Sequence, residues 1–265
     1  MARDIIDDRL VGALHLRALD RAGLAREPAL EHVAYQAGTL SSLMDGAFDG
    51  DLALADLLRH GDLGIGTVAG LAGELIVVDG EAFVIEGDGT VRRPDPAVTT
   101  PFAVVCSFAP QHRFTVNEPT SLGGLRARID AVVGDPAVIV AVRIDGRFRR
   151  LAMRSVHRQH PPYPTLAEVT AHQTEWQLES LSGSVVGFRF PDGVAAIDVP
   201  GHHLHVISDD RAAGGHLLDL EIEFAEVRLD VSSDLHLELP AGVALGEPGR
   251  ADRETIARIE GQRPS

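Results

Sequence analysis

Three histidines in the last third of the chain have the types and spacing of a metal site. In the run Gly201-His202-His203-Leu204-His205, alternate side chains of a strand share a face. His203 and His205 therefore point the same way, about 7 Å apart along the chain, while His202 points to the other side and reads as outer-face filler. Asp209-Asp210 and Gly214-Gly215 supply turn chemistry, so the chain can double back and bring His216 opposite the pair. His216 is in phase with Leu218, Leu220, Ile222 and Phe224, which predicts an inward apolar face. Three imidazoles at the mouth of such a face make a site with positions left open for water or substrate. Zinc accepts three histidines and does no redox chemistry; iron and manganese accept the same ligands. A His-x-His pair alone is as compatible with ordinary core or surface, and the third histidine after the Gly-Gly turn is what favours a metal.

Composition narrows the rest. The chain has 265 residues, enough for one large domain or two small ones. Its 39 acidic and 24 basic residues leave a formal charge of −15, which argues against nucleic-acid or anionic-membrane partners. No stretch reaches the roughly 20 apolar residues of a membrane span, and the acidic start is unlike a secretory signal, so the sequence reads as a cytoplasmic protein. All the basic residues are arginine, which excludes lysine Schiff-base and P-loop chemistry. The lone Cys106 excludes a multi-thiolate site and reads as inert core.

The elements that must hold the histidines read as α+β: two mixed or antiparallel β-sheet halves with a few packed helices, and the metal site in the C-terminal half. Residues 1–30, rich in Leu, Ala and Arg, read as a helical extension. Residues 31–160 form an N-terminal half. There, strands over 74–78 and 81–86 flank an Asp79-Gly80 turn, and a helix over 121–133 carries Leu122, Leu125, Ile129 and Val132. A second hairpin is expected around Asp145-Gly146. The prolines at 161, 162 and 164 mark a junction. Residues 161–265 form a β-rich half with strands over 184–190, 202–207, 215–224 and 226–239, and a C-terminal helix returns to the site.

With the histidines in place, other blocks fall into an order that resembles the acetolactate decarboxylase family. They are His60-Gly-Asp-Leu-Gly-Ile-Gly-Thr67, Gly73-Glu-Leu-Ile76, Thr100-Pro-Phe-Ala103, Arg154-Ser-Val156, Pro162-Tyr-Pro164, Gly183-Ser-Val-Val-Gly-Phe188 and Val199-Pro-Gly201, leading into the histidine run. The likeness covers roughly 33–262. It implies zinc on His203, His205 and His216, active-site roles for Glu74 and Arg154, a pocket position for Thr67, and a C-terminal glutamate, Glu260 or Glu254. The family has aromatic residues where this chain has Asp192-Gly193 and His202, a change at the pocket rim. A homodimer is compatible with the resemblance, with no interface legible in the sequence.

The implied reaction is decarboxylation of 2-acetolactate to acetoin through an enediolate, whose charge a divalent cation stabilises as a Lewis acid. No organic cofactor is needed. Arg154 suits the substrate carboxylate because its fork meets it bidentately. Glu74 or Glu260 serves as proton store. Taken alone, Arg154 would pass for a surface charge among its neighbouring arginines, Glu74 for a rim residue, and Glu260 for a helix-face charge. Two other readings stand beside this one. A cupin-like three-histidine dioxygenase or isomerase would need a glutamate four to five residues past the pair, where this chain has Asp209 and Asp210. A non-catalytic binding module would hold its metal with no open position.

Overall fold

The computed structural model of the chain describes residues 5–239 and Ile256. Two sheets face one another. The first has nine strands in the order β1 (Ile5–Val11), β2 (Leu14–Leu19), β17 (Asp234–Glu238), β3 (Val33–Ala37), β10 (Ala103–Cys106), β5 (Leu63–Thr67), β6 (Glu74–Val78), β7 (Glu81–Ile85), β8 (Val91–Arg92). In the second sheet the order is β11 (His112–Val116), β16 (Gly214–Ser232), β13 (Ile139–Ser155), β14 (Thr174–Phe190), β15 (Gly201–Ser208), with β12 (Thr120–Ser121) beside β16. A two-stranded pair joins β4 (Leu52–Ala53) to β9 (Thr99–Thr100). The short helices are α1 (Arg21–Leu24), α2 (Leu40–Met44), α3 (Leu54–Leu57) and α5 (Leu166–Thr170); α4 (Leu122–Val133) is the long one. Among the described residues no helix is long and apolar enough to cross a membrane.

Because β15 pairs β16 as well as β14, and β13 pairs both β14 and β16, these four strands close on themselves. Their inward rows supply Val140, Val142, Val185, Leu204, Val206 and Leu220 to a buried core. Helix α4 caps it through Leu122, Leu125 and Ile129; Ser121 accepts from the Gly124 N–H at its start, and Gly134, at φ 71°, ends it. The outward rows, Ile139, Ala141, Val186, Phe188 and Ile207, pack on Leu14, Leu16, Ile65, Ile76 and Val104 of the first sheet. Each buried Val, Leu, Ile or Phe among them contributes about 1.5–3 kcal/mol. The three histidines, Glu74 and Arg154 singled out in the sequence meet at this seam.

Three expectations need correcting. Residues 5–11 and 14–19 form a hairpin, not helices: Leu14, Leu16 and Ala18 are buried while His15 and Arg17 between them are half-exposed, the period of two that a sheet demands. The proline junction near 160 does not divide the sheets, since β13 before it lies between β14 and β16 after it. Nor is there a turn at Asp145-Gly146. β13 runs straight through, and Gly146 is there because a Cβ would sit 2.3 Å from the Phe224 carbonyl oxygen on β16. Asp145 is held instead by Ser184, Arg143 and Arg228.

Candidate metal centre

The alternation of β15 separates two environments. Leu204 and Val206 enter the closed core, and His203 and His205 face the first sheet. His216 joins them from β16, where it is the direct cross-strand partner of His205. All three are buried, with ring centroids 5.1 to 5.3 Å apart, and each offers a nitrogen within 4.8 Å of the others. Glycines permit the approach. A Cβ on Gly187 of β14 would lie 2.1 Å from the His203 carbonyl oxygen, and one on Gly214 would lie 2.6 Å from that of Val206. The expected phase of His216 with Leu220 and Ile222 does not hold. Leu218 is an extra residue against β13, so Leu217 and Leu220 both point into the closed core while His216 points out of it, and Phe224 is exposed.

His205 is oriented from behind. A carbonyl only accepts, so at 2.9 Å from the Leu75 oxygen His205 Nδ1 carries the proton and leaves Nε2 toward the other rings. That buried Nε2 makes no hydrogen bond within the protein. Burial, then the positive charge of Arg154, lowers the pKa of His203 to about 3. Burial, then His203 and later Arg154, holds His205 well below its ordinary range. Neutral imidazoles with converging nitrogens fit a divalent cation.

Arg154 is the cross-strand neighbour of His216. It is almost fully buried and donates from Nη1 to Glu74 Oε1 at 2.9 Å. Glu74 is carried by β6 of the opposite sheet, and its Oε2 lies 3.6 Å from His205 Nε2. One carboxylate thus touches both the arginine and the histidine group across the seam. Beside Glu74 in the register, Thr67 donates to the Gly73 carbonyl at 2.8 Å, and Thr100 donates to that of Thr67. Thr67, Glu74, Arg154 and His203 line the polar end of a narrow cleft of about 40 Å³. Its other walls are apolar: Leu40 and Leu43 of α2, Leu166 of α5, and Phe102, Val156 and Val199. Ile256, helical and buried, packs on the same apolar cluster.

Most of the predicted site thus comes together: His203, His205, His216, Arg154, Glu74 and Thr67. Glu260 and Glu254 lie outside the described residues. Asp209 and Asp210, where a cupin-like centre would seek its carboxylate, sit exposed in the turn after β15, with Asp210 accepting from Ser208. His202 is on the opposite face of its strand, as parity requires, but it is buried rather than exposed. The sequence reading missed the Leu75 carbonyl, which no side chain announces, and the roof made by α2 and α5. Their caps, Thr39 with Ser42 and Thr165 with Glu168, were the available signal.

A buried histidine triad facing an arginine–glutamate pair at one end of an apolar cleft defines an enzyme acting on a small molecule. The chain matches the family model described as alpha-acetolactate decarboxylase over residues 34–245. It is 39% identical over 230 residues to the alpha-acetolactate decarboxylase of Methanosarcina mazei, covering 86% of this chain and 80% of the relative. It is likewise 39% identical over 214 residues to that of Klebsiella aerogenes, covering 81% and 82%. The crystal structure of alpha-acetolactate decarboxylase from Bacillus subtilis strain 168 superposes with a TM-score of 0.82 at 31% identity, covering 87% of this chain and all of that one. The chain belongs to the alpha-acetolactate decarboxylase family, whose members are carboxy-lyases.

Proposed function

We propose that this protein decarboxylates 2-acetolactate to acetoin and carbon dioxide, with one zinc ion on His203, His205 and His216 and no organic cofactor. When bound, the cation would supply Lewis-acid stabilisation of the charge that passes from C2 onto the neighbouring carbonyl oxygen as carbon dioxide leaves. The chain's own residues do the rest. Arg154 orients the substrate carboxylate: a guanidinium carries five N–H donors in a fixed fork, so it can hold Glu74 and a substrate carboxylate together. Glu74 keeps that fork turned toward the histidines. As the C–C bond breaks, its electron pair passes into an enediolate. Protonation at C2 then completes acetoin, and the net reaction consumes one proton from solvent. Glu74, or Glu260 from the C-terminal segment, holds that proton at a carboxylate oxygen. Thr67 and the apolar wall bound the substrate's methyl groups and exclude water from the enediolate.

The observation that supports this most is the contact of Glu74 with both Arg154, at 2.9 Å, and His205, at 3.6 Å, which joins an arginine, a carboxylate and the triad in one buried group. The test is incubation of the purified protein with racemic acetolactate. Acetoin and carbon dioxide should appear together and stop on addition of a chelator. Oxygen-dependent turnover with iron would favour the dioxygenase alternative instead.

A further inference from the structure

The closed core formed by β13 to β16 does not stay apolar to its end. Along its inner rows, Val185 on β14 and Leu204 and Val206 on β15 are buried aliphatics, yet the last pair is Arg189 opposite His202. These two residues, directly paired across the strands, line a second, open cavity of about 630 Å³. It lies on the other face of β15 from His203 and His205. Both residues are more than nine-tenths buried. His202 and Asp192-Gly193, singled out in the sequence, all line it.

Arg189 has few partners for so buried a charge. Its Nη2 donates to the Asp135 carbonyl at 2.8 Å, and its Nε lies 3.6 Å from Asp130 Oδ1 without hydrogen bonding to it. Asp130 is itself half-exposed and is shared with His202 Nε2 at 3.2 Å. A guanidinium has five donors, and burying it without matching acceptors is costly. Burial is the largest influence on Arg189 and lowers its pKa, with Asp130 and Asp135 opposing. Around this polar floor the walls include Val11, Pro136, Ala137, Phe190 and Pro191, with Asp130, Asp135 and Asp192 also on the lining, so a bound anion must take its place on the Arg189 fork against their charge.

We propose that this cavity is a second, non-catalytic site for a small carboxylate with an aliphatic body. Arg189 receives the carboxylate, and Phe190, Pro136 and Val11 cover the carbon chain. The inference does not rest on the decarboxylase reading. Butanoate is the probe, with uncharged butanamide as its control, titrated calorimetrically into the zinc-loaded full chain. The expected result is a butanoate-binding event that weakens at least about tenfold in Arg189→Gln, which loses the charged fork. It should weaken equally in Ala137→Phe, which narrows the cavity and leaves Arg189 in place. The same event should persist in Arg154→Gln, since the catalytic cleft lies across the strand. The melting temperature of Ala137→Phe should match wild type, separating lost binding from lost folding. Binding that persists in Ala137→Phe, disappears in Arg154→Gln, is matched by butanamide, or is absent at millimolar butanoate overturns the proposal.

Discussion

Replacing Arg154 with Met tests the site most searchingly, because stability and turnover should respond through different partners. Arg154 and Glu74 are each about 95% buried and 2.9 Å apart. Removing the cation strands a carboxylate in the seam, and breaking a buried pair from one side costs about 3–5 kcal/mol. At about 2–4 °C per kcal/mol for a chain of this size, the melting temperature should fall by roughly 6–20 °C. Turnover loses a donor aimed at developing charge, so kcat/KM should drop by about 10²–10³. Metal content should not change, because the three histidines keep their strands and the Leu75 contact. Adding Glu74→Gln to Arg154→Met removes the stranded charge, so most of the stability should return while activity stays low. The assays are calorimetric melting, elemental analysis and colorimetric acetoin. The reasoning is refuted if Arg154→Met keeps turnover within tenfold of wild type, or if the double variant recovers activity along with stability.

Thr67→Val leaves the buried Gly73 carbonyl without the hydroxyl that now meets it at 2.8 Å. It should cost about 1–3 kcal/mol in chemical unfolding and raise KM more than it lowers kcat. Gly187→Ala places a methyl against the His203 carbonyl. That pushes β15 away from β14 and should weaken metal affinity at least tenfold, read by competition with a fluorescent chelator. His15 sits between Asp234 at 2.9 Å and Asp8 at 2.5 Å, and those hydrogen bonds, Asp234's foremost, raise its pKa above 6.5. A group raised on folding stabilises fully below its unfolded pKa and loses that contribution as pH climbs through the folded one. The β1–β2 hairpin should therefore exchange its amides faster relative to the core above pH 6.5, an effect absent in His15→Gln. Cys106, whose thiol burial pushes well up, should resist thiol reagents in the native state at pH 8.

Features carried by neighbouring residues were the most legible ones. Period two placed His203 and His205 together, Asp79-Gly80 marked a real hairpin, and the three-four spacing of Leu122, Leu125 and Ile129 marked α4. Where one signal has two physical causes, local reading failed. Asp-Gly at 145–146 suggests a turn, but the glycine is needed for close strand approach. The Leu- and Ala-rich start favours a helix by propensity, yet the alternation of Leu14, Leu16 and Ala18 let the sheet win. The bulge at Leu218 reverses the inward face as far as Ile222, and a second register shift at Glu223 restores it for Ala225, Val227 and Leu229; no residue type announces such insertions. Glu74 and Arg154 are 80 positions apart, so only the family likeness joined them before the fold did.

The central claim is that three imidazoles hold the one cation on which decarboxylation depends. Stepwise addition of zinc to metal-stripped protein, with acetoin formation from acetolactate followed at each step, addresses it most directly. Activity should rise linearly and break at one zinc per chain, and His205→Ala should stay inactive throughout. Full activity in the stripped protein, or a His205→Ala variant that responds to zinc like wild type, would contradict the claim.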